Sequence, residues 1–426
     1  MPLILYPLFG VMSSTEVCMS YTQDSQMVFV LSCFLAIAMV TNKLDRCIAL
    51  RLLKIFGVNP ARILTLLMIL TFILSALIPN ACACSLMIPI GRASLAIFDE
   101  LGVCKVVEDS NVEEMDEGAP TYPSKVGNAF YIGIGFAANI GGMLTPWSSE
   151  SGYEYLEKYK ESQILTSVAV SAVISIFLLI FTILYLQVIF LKLWHSKREK
   201  RITFNDVSHL PDLEVMIQME KDDGIAGNVM TGFLMLIYIC VLIAINVLEQ
   251  LQYMENRVLI KYSTIVMLIC LLAFICPNSC SHLNYFLCRE PKQYKMSPSI
   301  LPWSVIPKLM PWNYFLVYGS SLAYGMGLEK SGLQRYLMDH LVATNNNITL
   351  HLMGLMAVTI LLSTLGANHL VARVMMVQVM LRQPNTENIY LALAVSLASN
   401  LAFVLPISSV SNCFAAGWGN LRSKDM

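Results

Sequence analysis

LSALIPNACACSLMIPI, residues Leu74 to Ile90, decides how this chain is read. An apolar run reaches Ile78, meets Pro79-Asn80-Ala81, and resumes as small and apolar residues. Proline followed by a bare amide, within sequence this apolar, predicts a helix interrupted at membrane depth. A break facing lipid would leave backbone groups without partners, so it requires surrounding protein or a water-filled cavity. Helix N-termini at such a break offer N–H groups and a positive dipole end to an anion, while unwound carbonyls can hold a cation. A kinked bundle helix with a buried asparagine would use the same residues, and this stretch alone does not separate the two readings. The chain repeats the pattern at Gly366-Ala367-Asn368-His369.

Composition sets the class. Of 426 residues, 56% are hydrophobic and 13% charged, with a mean hydropathy of +0.62. That is too apolar for a soluble domain and indicates a polytopic membrane protein. The net charge of -1, with no basic run interleaved with aromatics, gives nucleic acid nothing to bind. The 12 cysteines are scattered; Cys82 and Cys84 lack partners at zinc spacing and read as small packing residues. No metal-spaced His or Asp cluster and no nucleophile elbow supports an intramembrane enzyme or an organic cofactor. The N-terminus lacks the charged start and cleavage site of a signal peptide. Met1 instead opens into PLILYPLFGVM, expected to be the tail of a span.

Charge bias orients the remainder. Met27 to Thr41 is the first complete apolar run, followed by Lys43, Arg46, Arg51, Lys54 and Arg62, a basic loop expected on the cytoplasmic side. Ile63 to Ile78 then runs from the inside to the break. A second helix, to about Leu95, is expected to be too short to span before the acidic segment from Asp99 to Glu117. Ile63 to Leu95 therefore reads as a re-entrant hairpin. Val126 to Met143 runs into Thr145-Pro146-Trp147-Ser148-Ser149-Glu150-Ser151-Gly152, which cannot continue a clean helix. Ile164 to Leu191 is a full span ending in KLWHSKREKR, the strongest cytoplasmic marker. After a polar linker to about Gly227, Met230 to Val247 goes out, Tyr262 to Cys276 returns, and Trp312 to Leu328 goes out again. This puts the sequon Asn347-Ile348-Thr349 outside, with Asn347 the candidate glycosylation site. Leu350 to Leu365 then enters from outside, meets the Asn368 break and returns to about Leu381; Ile389 to Leu405 follows and is broken by Pro406 to Asn412.

The expected fold is thus an all-α polytopic membrane protein with inverted repeats, two re-entrant hairpins and two broken helices, divided into scaffold and transport domains. Residues 1–62 would be partial N-terminal scaffold spans. Residues 63–163 would hold the first hairpin and broken helix, with an acidic cytoplasmic loop at 98–125. A span with its basic tail would occupy 164–201, a cytoplasmic linker 202–229, second-repeat scaffold spans 230–328, and the second hairpin and broken helix 329–426.

These segments resemble the divalent anion:sodium symporter family, the INDY-like sodium-coupled di- and tricarboxylate and sulfate carriers. The likeness runs nearly end to end, through RCIALRLLKIFGVNPARILTLLMILTFILSALIPN, MPWNYFLVYGSSLAYGMGLEKSGL and NLAFVLPISSVSNCFAAGWGNLRSKDM. It implies a plasma-membrane homodimer in the lipid bilayer that carries a small anionic carboxylate with sodium by an elevator motion. It also implies further apolar helices before Met1 and after Met426.

Carried over by position, the resemblance assigns substrate contacts to Asn80, Ala81, Ser149, Asn368, His369, Ser409 and Val410. It assigns sodium contacts to Ser75, Pro79, Asn80 and Glu150 in the first repeat, and to Ser363, Gly366, Asn368 and Ser408 in the second. The departures are specific. The family's Ser-Asn-Thr tips read Pro79-Asn80-Ala81 and Ala367-Asn368-His369 here, so both asparagines remain while the flanking hydroxyls are gone. Glu150 stands where relatives have a small residue, and the second broken helix keeps Asn412 but lacks the prolines. Arg373 reads either as a fixed cation, replacing a sodium ion or holding a substrate carboxylate directly, or as a side chain that snorkels to the interface or pairs with an acid such as Glu150. Sodium-coupled di- or tricarboxylate transport is the expected function. The alternatives are a relative that is transport-deficient or sodium-independent, or a carrier of an inorganic anion such as sulfate.

Overall fold

The computed structural model describes residues 2–106, 122–158, 164–191, 210–250, 261–278, 298–340, 348–382, 387–422 and 424–426. The first half opens with α1 (Pro2–Leu8), α2 (Ser14–Ser20), α3 (Asp24–Thr41) and α4 (Leu44–Phe56). Helices α5 (Pro60–Leu77), α6 (Asn80–Glu100), α7 (Lys125–Leu144), α8 (Glu150–Lys158) and α9 (Ile164–Ile189) follow. The second half begins with α10 (Leu210–Gln250), α11 (Tyr262–Ile275), α12 (Ile306–Leu309), α13 (Trp312–Ser331) and α14 (Leu333–His340). It closes with α15 (Ile348–Leu365), α16 (Asn368–Arg382), α17 (Glu387–Ser399) and α18 (Val410–Gly419). Among the described residues, the five segments Asp24–Thr41, Pro60–Leu77, Asn80–Glu100, Thr166–Ile189 and Val229–Val247 are long and apolar enough to cross a membrane.

Local chemistry sets the helix ends. Asn59 caps α5, its Oδ1 accepting the Ala61 N–H at 3.0 Å, and Pro60 takes the first helical position; proline is pre-organised there and its missing donor costs nothing. Ser124 accepts from Gly127 to start α7, and Ser409 accepts from Asn412 at 3.2 Å to start α18. Helix α6 stops at Gly102, whose φ of +68° suits glycine, while the Val103 N–H bonds back to Phe98 O at 2.9 Å in a Schellman closure.

Burial separates lipid-facing helices from central ones. Along α9, Val173, Phe177, Ile180 and Leu184 are exposed, spaced as one face of a helix. Val229, Phe233 and Leu236 make the same stripe on α10. Large apolar faces of this kind belong against acyl chains rather than water. Nearly all of α6 and α7 is buried instead.

The packing is reciprocal. Helix α7 packs on α5 and α6, and α17 packs on α15 and α16 in the same way. The short helix after each interruption then crosses over: α8 lies against α16 and α17, while α18 lies against α6 and α7. Each half thus completes the other. A large apolar core unites α3 to α7, α10, α11 and α18, and a second core gathers α15, α16 and α17 around Tyr155 of α8.

Four expectations are corrected: the basic stretch expected as a loop after α3 is largely helix α4, the helix expected to reach Leu405 ends at Ser399, and two boundaries move. Helix α6 does not end near Leu95 but runs for 21 residues to Glu100, because the acidic residues continue the helix and Gly102 ends it. The stretch 202–229, expected to be a linker, is helical from Leu210 onward as the first part of α10. The candidate glycosylation site Asn347 lies outside the described residues.

Candidate functional site

Two elbows and two broken helices converge. The first elbow is Ile78 and Pro79, both extended, between α5 and α6. Its freed carbonyls find side-chain donors: Thr145 Oγ1 donates to Ala76 O and Asn246 Nδ2 to Leu77 O, each at 2.7 Å. Ser75 Oγ is placed to donate to Asn80 Oδ1 at 2.9 Å and to Ala138 O at 2.7 Å. The Asn80 amide lies directly over Gly142, where an added Cβ would fall 2.1 Å from Asn80 Oδ1. Gly141 beside it allows the Phe72 carbonyl equally close. The Gly-Gly pair is what lets the elbow settle on α7.

Beyond α7, Ser148 Oγ reaches Gly142 O at 3.1 Å and Thr145 O at 2.9 Å. Ser149 Oγ accepts from the Gly152 N–H at 3.0 Å and lies 3.4 Å from Ser151 Oγ. Unwound backbone in a membrane protein needs such partners, and this break has them.

The second elbow, Gly366 and Ala367, joins α15 to α16. Gly366 lies against the Tyr324 ring, 2.1 Å from where a Cβ would stand. The Ala367 N–H reaches Ser321 O at 3.5 Å, and Ser321 Oγ donates to Ile407 O at 2.6 Å. One serine of α13 therefore touches both the second elbow and the second break. Asn368 Oδ1 accepts the His369 N–H at 2.9 Å, and its Nδ2 donates to Asn400 Oδ1 at 3.1 Å. Asn400 Nδ2 continues to Ser151 Oγ at 2.7 Å, linking the second elbow to α8.

His369 Nδ1 stands 2.7 Å from Glu150 Oε2 at the N-terminus of α8. In the second break, Ser408 Oγ is within 2.7 Å of both Ala402 O and Leu405 O. Asn139 Nδ2 reaches Ser409 Oγ and Asn412 Oδ1, each at 3.0 Å.

The structure therefore gathers most of the sequence-derived residues. Ser75, Pro79, Asn80 and Ala81 lie at the first elbow with Gly142, and Ser149 and Glu150 join them through the first break. Gly366, Asn368 and His369 form the second elbow, and Ser408, Ser409 and Val410 the second break. Ser363 is fully buried, its hydroxyl without a hydrogen-bond partner among the described residues. Arg373 pairs with Glu329 at 3.1 Å on a half-exposed rim rather than with Glu150. It sits one turn beyond His369, where the end of α13 supplies the acid, and Glu150 is taken by His369.

A sequence profile described as citrate transporter matches residues 1–306. The chain belongs to the citrate transporter family. It is 26% identical to the Drosophila melanogaster protein "I'm not dead yet", over all of this chain and 76% of the fly protein. It is 23% identical to the Mus musculus Na(+)/citrate cotransporter, over all of this chain and 82% of that protein. Identity to the sodium-dependent dicarboxylate transporter SdcS of Staphylococcus saprophyticus is 24%, over 100% and 76% of the two chains. Two of these relatives are named for sodium-coupled citrate or dicarboxylate transport, in agreement with the resemblance carried by the motifs of this chain.

This member of the citrate transporter family also uses polar residues to which the motifs assign no role. Asn139, Thr145, Ser151, Asn246 and Asn400 are all buried or nearly so and hold the interruptions together. An asparagine inside an apolar helix was the available signal. In Asn139 it was masked by the glycine-rich run around it, which reads first as packing.

Proposed function

We propose that this chain is a sodium-coupled transporter of small carboxylates. One observation carries the reading: four interruptions are joined through polar contacts, and at three of them freed backbone oxygens turn to polar side chains inside the protein. Helices α6, α8, α16 and α18 begin at these breaks, and helix N-termini favour an anion. The first elbow offers Ser75 with Asn80 Oδ1 and Ala138 O, and the first break Thr145 with Ser148, in two hydrogen-bonded groups whose oxygens are of the kind that suits a hard cation. Ser408, with Ala402 O and Leu405 O, offers a second such set. The buried Ser363 hydroxyl is a further oxygen able to face a cation. Sodium is cargo in this reading, and no catalysis is involved.

The reciprocal crossing of α8 and α18 supports an inverted repeat. Arg46 of α4 makes a two-pronged pair with Glu100 at the end of α6, 2.7 Å on each prong. The basic helix before α5 thus holds the far end of α6, which supports a hairpin leaving and rejoining one face. We extend the reading to an elevator motion of the two hairpins in a plasma-membrane homodimer, carrying di- or tricarboxylates as the relatives named for citrate and dicarboxylates suggest. Uptake of labelled carboxylates by the purified chain in liposomes, under an inward sodium gradient, tests it. Accumulation lost when potassium replaces sodium is expected; equal accumulation in both would refute sodium coupling.

A further inference from the structure

Outside the breaks, a further cleft is built from charged and polar side chains. It is lined by Glu154 of α8, Glu329 of α13, Gln334 of α14, and Arg373, Val377 and Gln378 of α16. Its volume is about 440 Å³, the scale of a small-molecule site. Gly332, at a φ of +69°, turns the chain between α13 and α14 and brings Gln334 back beside Glu329. Arg373, Val377 and Gln378 share one face of α16, at the spacing of a single helical turn.

The lining carries one more carboxylate than guanidinium. Arg373 answers Glu329 at 3.1 Å, and Lys330, next along α13, is turned to Glu16 instead. Gln334 is 6% exposed and gives its Nε2 to Glu329 O at 3.4 Å. With the amide nitrogen on that carbonyl, the amide oxygen is directed elsewhere, and Gln334 Oε1 has no hydrogen-bond partner among the described residues. A buried acceptor in that state is costly and calls for a donor. The cleft thus lacks a positive charge and a donor together.

We propose that this cleft binds a small organic cation bearing a primary ammonium group. The three N–H bonds of such a group match acceptors on Glu154, Glu329 and Gln334. A carboxylate accepts several hydrogen bonds, so the pairing of Glu329 with Arg373 does not exhaust it. Val374 and Val377 give a short aliphatic chain an apolar wall. Among the described residues, no three acidic, histidine or cysteine side chains gather to hold a metal ion. A carboxylate cargo has the wrong charge for this lining, so the site is distinct from the breaks. It asks only for binding and stands whether or not the transporter reading does.

The full chain, purified in a non-ionic detergent, is titrated with propylammonium chloride while its melting temperature is followed. Tetramethylammonium chloride and sodium chloride, at equal ionic strength, supply positive charge without N–H donors. A ligand that binds the folded state raises the melting temperature with its concentration. Propylammonium should give a saturating rise, and neither control should. In Glu154→Gln the apparent dissociation constant should rise about tenfold or more, the scale of one charge-assisted hydrogen bond. Equal responses to the three salts, or none to any, overturn the proposal on wild type alone, even where the variant does not purify. A folded Glu154→Gln protein that binds propylammonium as tightly as wild type overturns it too.

Discussion

Asn139 of α7 donates to Asn412 of α18 at 3.0 Å, joining residues 273 positions apart in the chain. Both are buried, and Asn412 Nδ2 also reaches Ala402 O at 3.0 Å and Ser408 Oγ at 2.9 Å. The helix that follows the second break is pinned by this side chain to the helix that precedes the first. Replacing Asn412 by Leu would take from Asn139 one of its two acceptors and leave the single Ser408 hydroxyl to serve both the Ala402 and Leu405 carbonyls in an apolar setting. Each lost partner in such a place costs about 1–3 kcal/mol. A marked fall in the melting temperature of the purified protein in detergent is expected, well beyond that of Asn420→Ala, which lies at the exposed C-terminus of α18.

Close approach predicts a difference between two glycines. Gly142→Ala would drive a methyl into the Asn80 amide, whereas the nearest atom to a Cβ on Gly232 is a Leu44 methyl carbon at 3.7 Å, an ordinary contact. Gly232→Ala should therefore be neutral or stabilising by up to about 1 kcal/mol through helix propensity. Gly142→Ala should abolish uptake while the protein still reaches the membrane. Sodium-driven uptake beside surface biotinylation separates the two effects.

The Arg46–Glu100 pair is partly exposed, at 31% and 40%, so its coupling energy in a double-mutant cycle should stay below about 1 kcal/mol and shrink with salt. Its value is topological. With the exposed native thiols replaced, cysteines at 46 and 100 should react with an impermeant reagent from one side of the membrane only, and from the same side. Labelling from opposite sides would contradict the hairpin.

At the C-terminal end of α13, beside Glu329, Lys330 pairs with Glu16, the third residue of α2. The Lys330 ammonium and the Ser13 cap hold the Glu16 carboxyl down at about 2, below its ordinary value. A lowered carboxyl stabilises the fold above the unfolded value and ceases to do so as pH falls through the folded one. The difference in melting temperature between wild type and Glu16→Gln should thus be present at neutral pH, shrink below about pH 4.5 and vanish near pH 2. A difference that persisted unchanged to low pH would locate its origin elsewhere.

Much of this architecture was legible because bilayer solvation constrains sequence so strongly. Apolar runs of the right length gave α3, α5, α7 and α9 nearly to the residue, and Pro79-Asn80 marked the first elbow. The end of α6 was missed because acidic residues suggest a loop, while helix termination was decided by Gly102 and its Schellman bonds. Partner choice was less legible. His369 and Arg373 lie one turn apart on α16, and nothing local says which meets Glu150; that is settled by how α8 and the end of α13 pack on them. The polar relay through Asn400 and Ser151 was likewise invisible: Asn400 reads as a tolerated polar position in an apolar run, and Ser151, although inside the polar stretch after α7, carries no local mark of its partner.

Sodium-driven carboxylate uptake is the most direct test of the central claim. The full chain would be reconstituted in liposomes and offered labelled succinate and citrate under an inward sodium gradient, beside Asn80→Ala and protein-free liposomes. The account predicts accumulation of at least one of these anions, lost with potassium in place of sodium and lost in Asn80→Ala. Accumulation no greater than in protein-free liposomes, or equal with either cation, would contradict it.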